Sequence, residues 1–379
     1  MLLRAHLIGT AADAVTALLR AHGPAASALP ARSICGTSSS CSDASLHGGP
    51  AAPGDQGPWV THLASRAVIC MEGKELLQFL QGMVTNDMRP LAAPGAGPVY
   101  AALVTPKGKL LHDMFHGGAA GGPGRLWLDV DTAGAEAVLR WLSRYKLRRP
   151  IAIEAAGVEL AVWARYGGGG KDASAAAAAA AAGGSGWRAD PRLPGQLGER
   201  GVFAAGGGSG GPAGGGGWRV AGEASHRALR YGLGVAEGAA EMTPERFTPL
   251  EFNLDALAGV SYSKGCYIGQ ERNSYTHFRG IIRRRLMPVT LERPGLAPGT
   301  EVVAAGGGSA GMLLASEGHL GLAHLKLGPA LAAAAAAGCG GGAALHAAGD
   351  AAAGVRPVRP AWWPREWGHE EEAPAAPKA

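Results

Sequence analysis

Apolar and polar positions follow two different periods along this chain, and each period predicts its own kind of element. Glu75-Leu76-Leu77-Gln78-Phe79-Leu80-Gln81 keeps its apolar residues to one side and stops at Gly82. That spacing predicts a short helix followed by a polar loop, Val84-Thr85-Asn86-Asp87. Residues 132–145 place Val138, Leu139 and Leu142 at helical spacing and predict a second helix. Short apolar runs bounded by turn residues predict strands at 61–71, 99–104, 109–115, 126–130, 151–154 and 158–165. Pro106-Lys107-Gly108 sits between two of these runs and predicts a hairpin. Further on, 218–220 reads as a strand, and 226–231 and 247–257 as short helices. Strands at 283–291, 301–303, 311–314 and 320–327, with a last one within 355–363, suggest a small all-β domain.

The pattern collapses in two places. Residues 167–186 and 204–217 are glycine and alanine with no bulky apolar side chain to bury, so 166–217 reads as a low-complexity insert. Residues 330–354 read the same way. The expected organisation is a leader at 1–50, a folded region of 51–165 and 218–282, a barrel domain at 283–363, and a loose tail at 364–379. The leader carries Arg4, Arg20 and Arg32 against Asp13 and Asp43 as its acids, and is rich in alanine and serine. This is the composition of an organellar transit peptide, and the mitochondrial matrix is favoured over the plastid.

Composition changes the picture only modestly. Hydrophobic residues make up 47% of the 379, enough for substantial cores. No stretch of roughly 20 bulky apolar residues predicts a membrane helix. The formal net charge of +5 is mild and locally clustered, most densely at Arg279, Arg283, Arg284 and Arg285. Such a cluster suits a carboxylate ligand or an acidic partner. No stacking-aromatic motif accompanies it, which argues against nucleic acid. The five cysteines, Cys35, Cys41, Cys70, Cys266 and Cys339, form no C-x-x-C pair and no zinc-finger spacing. A reducing compartment with one functional thiol fits better than a disulfide framework, and Cys70 is expected in the core.

The candidate chemistry concentrates in Ser261-Tyr262-Ser263-Lys264-Gly265-Cys266-Tyr267-Ile268-Gly269-Gln270-Glu271. If this stretch is extended, Lys264 and Cys266 share a face, and the ammonium sustains the thiolate. Gly265 and Gly269 allow backbone geometries closed to other residues and let a ligand approach closely. Gln270 and Glu271 can hold the loop by accepting backbone N–H bonds. His112 is a candidate general base, its ordinary pKa lying near neutrality.

Lys264-Gly265-Cys266-Tyr267-Ile268-Gly269-Gln270-Glu271 resembles the signature of the YgfZ family, relatives of the glycine-cleavage T-protein (an aminomethyltransferase). Phe79-Leu80-Gln81-Gly82 with Thr85-Asn86-Asp87, and Thr105-Pro106-Lys107-Gly108-Lys109, resemble earlier blocks of that family. Tyr231 to Gly238, Pro249-Leu250-Glu251, Asn253-Leu254-Asp255 and Gly321-Leu322-Ala323 resemble later ones. The resemblance implies an α+β, three-domain aminomethyltransferase-like fold around a central folate cavity, with a C-terminal β-barrel. It implies tetrahydrofolate as cofactor, with Asn86, Asp87, Asp113, Glu251, Asn253, Gln270 and Glu271 lining its site. It also implies a mitochondrial factor, without turnover of its own, that assembles [4Fe–4S] proteins with A-type scaffold proteins and client apoproteins. Cys266 is then the functional thiol, Lys264 its charge partner, and any metal contact at Cys266 transient, since a cluster needs several thiolates. No stably bound cluster, membrane or nucleic acid is expected. The alternatives are a folate-dependent aminomethyl or methyl transferase and an RNA or protein adaptor. Against the transferase, His112-Asp113 stands where T-proteins usually carry two consecutive acids, and T-proteins lack the cysteine. Arg272-Asn273-Ser274-Tyr275 also departs from the family's usual run after the signature.

Overall fold

The first apolar run divides at Leu63–Ser65, and its halves enter different sheets as β1 (Trp59–His62) and β2 (Arg66–Glu72). The computed structural model describes residues 57–118, 124–167, 186–205, 217–338 and 344–368. The leader expected at 1–50 and residues 369–379 lie outside them. Among the described residues no helix is long and apolar enough to cross a membrane.

One antiparallel sheet has the order β3-β4-β5-β2-β6, with β3 (Val99–Val104), β4 (Leu110–Gly118), β5 (Arg125–Asp131) and β6 (Ala152–Ala155). The expected hairpin is β3–β4, turning at Pro106-Lys107-Gly108. Both faces of this sheet are covered, so β4 is buried almost throughout. On one face pack α1 (Leu76–Gln81) and α2 (Ala135–Lys146), through Leu76, Phe79, Leu80, Val138 and Leu142. On the other, Tyr100, Leu110 and Phe115 meet Phe247 and Phe252 and the Leu286, Leu314 and Leu322 side chains of the barrel.

The second sheet has the order β10-β1-β7-β9-β8, with β7 (Leu160–Tyr166), β8 (Trp187–Ala189), β9 (Glu199–Ala204) and β10 (Arg219–Val220). This corrects the expected insert at 166–217, because β8 and β9 lie inside it. The bulky residues Trp187, Leu193 and Leu197 between the two glycine tracts are all buried. After α3 (Glu223–Leu233) the chain caps on Gly234 in the left-handed conformation. The helix expected at 247–257 is a single 3-10 turn, Pro249–Phe252.

The expected all-β domain is a closed barrel in the order β11-β14-β13-β12-β15-β16. Its strands are β11 (Arg284–Leu291), β12 (Glu301–Ala304), β13 (Ser309–Glu317), β14 (Leu320–Lys326), β15 (Leu345–Ala347) and β16 (Asp350–Pro357). Residues 330–354 are therefore not an insert. They supply β15, the first part of β16 and most of a helix (Leu327–Gly338). Alanine is the strongest helix former, and Ala330 and Ala333 bury fully against the barrel with Trp363 and Trp367. Trp367, inside the tail expected from 364, is likewise core.

Candidate functional site

The three blocks nearest the thiol in the fold come from distant parts of the chain and meet at one junction. Ser261 N–H donates to the Thr85 carbonyl (3.0 Å), and Thr85 Oγ1 donates to the Gly259 carbonyl (2.6 Å). Ile268 N–H donates to the Gly82 carbonyl (3.2 Å), tying the signature to the end of α1. Gly269 has φ 78°, and a Cβ there would collide with the Thr105 carbonyl oxygen of the β3–β4 turn. Gly108 in that turn has φ 69°, and a Cβ on it would lie 3.0 Å from the Gly269 carbonyl oxygen. These two glycines pack backbone against backbone, which no larger residue permits.

The signature itself is irregular loop from Ser261 to Gly269, followed by a helix not anticipated, Gln270–Arg279. The extended conformation expected there is corrected, and with it the shared face of Lys264 and Cys266. Lys264 turns inward, 6% exposed, and its Nζ donates to the carbonyls of Val84 and Asn86, each at 2.7 Å. Burial pulls its pKa down to about 8, with Asp87 opposing. Its ammonium is thus committed to pinning the loop after α1, and its role as charge partner of the thiol loses its geometric basis. Cys266 turns outward and is exposed. Cys70, expected in the core, is only half-buried on β2.

Asn86 and Asp87 stand beside this junction. Asn86 Nδ2 donates to the carbonyls of Tyr100 (2.8 Å) and Ala258 (2.6 Å), and its Oδ1 accepts from Asp87 N–H (2.8 Å). Bonds from Arg89 hold the Asp87 carboxyl well below the usual range. Gln270 and Glu271 form the first turn of the signature helix, Glu271 exposed.

The other expected folate contacts lie elsewhere. Glu251 closes a capping box with Thr248 and lies 3.4 Å from His324 Nε2. Burial pushes this carboxyl up, but His324 and Thr248 outweigh it and hold it at about 2. Asn253 is buried, with Nδ2 donating to the Leu286 carbonyl (2.9 Å). Both residues anchor the 3-10 turn to the barrel. His112 is packed against the backbone of Gly134, and burial lowers its pKa.

Asp113 is 1% exposed and belongs to a buried charge network that sequence reasoning missed. Its Oδ1 accepts from Gly238 N–H (3.0 Å), and its Oδ2 lies 3.5 Å from Arg66 Nη1. Arg66 Nε also donates to Asp129 Oδ1 (2.5 Å). From the second sheet Arg200 reaches Glu237 Oε1 (2.6 Å), and Arg192 reaches both Glu237 Oε2 (2.7 Å) and Asp190 Oδ2 (2.7 Å). The Arg200 and Arg192 guanidiniums lie 4.1 and 4.7 Å from the Phe115 ring centroid. Burial pushes Glu237 up, but the guanidiniums of Arg200, Arg192 and Arg66 outweigh it and hold it well below the carboxylate range. Asp113 is therefore buried with Oδ1 hydrogen-bonded, while its Oδ2 faces Arg66 without a hydrogen bond. A folate bonded to Asp113 would have to reach a carboxyl that is 1% exposed and faces Arg66. The one signal available beforehand was the bulky, charged stretch 187–203 standing between two featureless tracts.

The arginine cluster also divides. Arg285 is buried, bonded to Asp255 (3.2 Å) and stacked 3.2 Å from the Trp367 ring centroid. Arg279, Arg283 and Arg284 are exposed.

Comparison with known proteins places this geometry. Residues 283–365 match the model of the CAF17 C-terminal beta-barrel domain, which coincides with the observed barrel. The chain is 33% identical over 292 residues to the mitochondrial iron-sulfur cluster assembly factor IBA57 of Mus musculus, covering 72% of this chain and 79% of the relative. It is 31% identical to the Homo sapiens protein of the same name, covering 69% and 76%. The glycine cleavage system aminomethyltransferase T of Bartonella henselae superposes with a TM-score of 0.56 at 15% identity, over 80% of this chain and 85% of that one. This last likeness supports the aminomethyltransferase-like fold and nothing further.

Proposed function

The chain belongs to the IBA57 family, and from that premise we propose that it is a mitochondrial iron–sulfur cluster assembly factor that presents Cys266 as a single ligand to a cluster in transit. The observation that carries this is the position of the thiol. It is exposed on a loop fixed at both ends, by Ser261 and Lys264 on one side and Ile268 and Gly269 on the other. A cluster needs several thiolates, and the other described cysteine, Cys70, sits within a sheet. The remaining ligands come from a partner, which we assign to an A-type scaffold protein, with [4Fe–4S] apoproteins as the receivers. On ligation the Cys266 thiol gives up its proton and no electron changes hands. The chain orients the cluster and needs no turnover of its own.

Anaerobic reconstitution with and without an A-type scaffold tests this assignment. Visible absorption and electron paramagnetic resonance should show a centre that depends on both proteins and is lost with Cys266→Ser. In cells, the same substitution should lower cluster-dependent enzyme activities while leaving the protein level unchanged. Unaltered spectra and activities would remove the thiol from the function.

Tetrahydrofolate binding, which the family resemblance implies, is a separate proposal supported by the likeness of fold. A contact to Asp113 requires access to its buried carboxyl, and no step above depends on it. Calorimetric titration of reduced folate into the purified chain tests it directly. Heat absent up to high-micromolar ligand would end that proposal without touching the role of Cys266.

A further inference from the structure

The helix that follows the signature, α4 (Gln270–Arg279), is built the wrong way round for a surface helix. Its buried contact is Asn273, 1% exposed, whereas Tyr275 and Phe278 are 63% and 67% exposed, and Ile281 just beyond is 45% exposed. Positions 275 and 278 share one face, and 272 and 279 flank Tyr275 three and four residues away. The helix is nevertheless firmly seated. His277 stacks on Tyr262 with ring centroids 3.7 Å apart and planes at 10°, and Phe278 meets Tyr262 edge-on at 5.6 Å. Those apolar side chains are held out in solvent by a fixed frame.

Charge is equally uncompensated there. Residues 271–284 hold four exposed arginines, Arg272, Arg279, Arg283 and Arg284, against one acid, Glu271. None of the four makes an ion pair or a side-chain hydrogen bond with another described residue. Aromatic anchors with arginines around them are the composition of protein–protein hot spots. Cys266 precedes α4 by four residues, within about 14 Å even at full extension.

We propose that the outer face of α4 and the arginines entering β11 form the docking surface for the acidic scaffold protein that supplies the other ligands of the cluster at Cys266. The proposal rests on the function assigned to Cys266 above. Tyr275, Phe278 and Ile281 seat on apolar side chains of the partner, and the guanidiniums pair with its carboxylates in two-point fashion. A protein is favoured over nucleic acid for two reasons. Ile281 extends the patch with an aliphatic side chain, which suits a protein better than the stacked bases that the rings of Tyr275 and Phe278 would also accept, and the patch adjoins a thiol whose cargo is a metal cluster.

The test uses the full chain, a purified A-type scaffold protein in cluster-free and [2Fe–2S] forms, and a labelled single-stranded RNA. Binding of the cluster-free scaffold should weaken about 50-fold in Arg272→Glu/Arg279→Glu and about tenfold or more in Tyr275→Ala/Phe278→Ala. The charge-reversed variant should also lose most of the salt dependence of binding, and Arg272→Lys/Arg279→Lys should recover part of the affinity. Cys266→Ser should lose only the extra affinity that the cluster adds. Wild-type affinity in both α4 variants, with the cluster increment still lost in Cys266→Ser, overturns the docking surface and leaves the role of the thiol standing. The reverse pattern upholds the surface and removes the thiol. Failure of the wild-type chain to bind the scaffold, or tighter binding of the RNA lost in the same variants, also overturns the surface as a protein dock.

Discussion

Arginines do opposite work in two regions of this molecule. In the junction between the two sheets, Arg66, Arg192 and Arg200 are sealed from solvent and each meets at least one carboxylate. On α4 and at the start of β11, four exposed arginines pair with no acid among the described residues. Desolvating a guanidinium costs several kcal/mol unless hydrogen-bonded charge offsets it. The interior charges are therefore turned mainly toward one another, whereas the surface set keeps its hydrogen-bonding capacity for another molecule. Charge count alone does not tell these regions apart; pairing does.

The sharpest way to break the contrast is to unpair the interior. Glu237 is shared by Arg192 and Arg200, with Arg66 3.8 Å away. Glu237→Gln leaves these guanidiniums short of a carboxylate and should cost about 4 kcal/mol, the range for breaking a buried pair. Urea unfolding of the purified protein measures it, and insoluble expression would be its extreme form. A loss under 1 kcal/mol would mean the network is not load-sharing and that Asp113 can be freed cheaply.

Next in size is the junction under the thiol. Gly269→Ala puts a side chain at φ 78° and drives its Cβ into the Thr105 carbonyl. Strain and clash together should cost roughly 3 kcal/mol. Cys266 in the variant should react faster with a thiol reagent, because the loop that positions it has lost its seat. Equal reactivity would show that the loop holds its shape without the turn.

How much of this was legible beforehand depends on what marks each element. The helix α2 was readable because Val138 and Leu142 fall at helical spacing and are the residues it buries. The helix over Leu327–Gly338 was not, since alanine carries no amphipathic contrast even where it packs. Nor was α4, whose sequence has no apolar stripe and whose start is set by Gly269 closing on the β3–β4 turn. Within the site, Cys266 was legible from its motif. The task of Lys264 was not, because it depends on carbonyls 178 and 180 residues away. The interior network was invisible for the same reason. Arg192 and Arg200 look like surface charges until the second sheet brings them onto Phe115.

A smaller effect comes from acid. Glu251 is held at about 2 in the folded chain against an ordinary value of 4.5. Its folded pKa is depressed, so its contribution to stability is complete above 4.5 and disappears as pH falls from 4.5 toward 2. Thermal unfolding of wild type and Glu251→Gln should differ most near neutrality, and the gap should shrink below pH 4.5 and close only as pH reaches about 2. A gap that stays constant through that window would mean the capping bonds to Thr248 do not depend on the charge.

The smallest effect should fall on the surface set, and its smallness is what makes the contrast useful. Arg272→Glu/Arg279→Glu removes no ion pair or side-chain hydrogen bond among the described residues and relieves some like-charge crowding. The folding stability of that variant should therefore match wild type within about 0.5 kcal/mol, in the same urea titration that reads Glu237→Gln. A marked loss would show that these guanidiniums stabilise α4 in the isolated chain, so that their exposure would no longer single them out for a partner. Unchanged stability alongside lost binding assigns their whole energetic effect to recognition, the outcome expected of cations that the fold leaves unpaired.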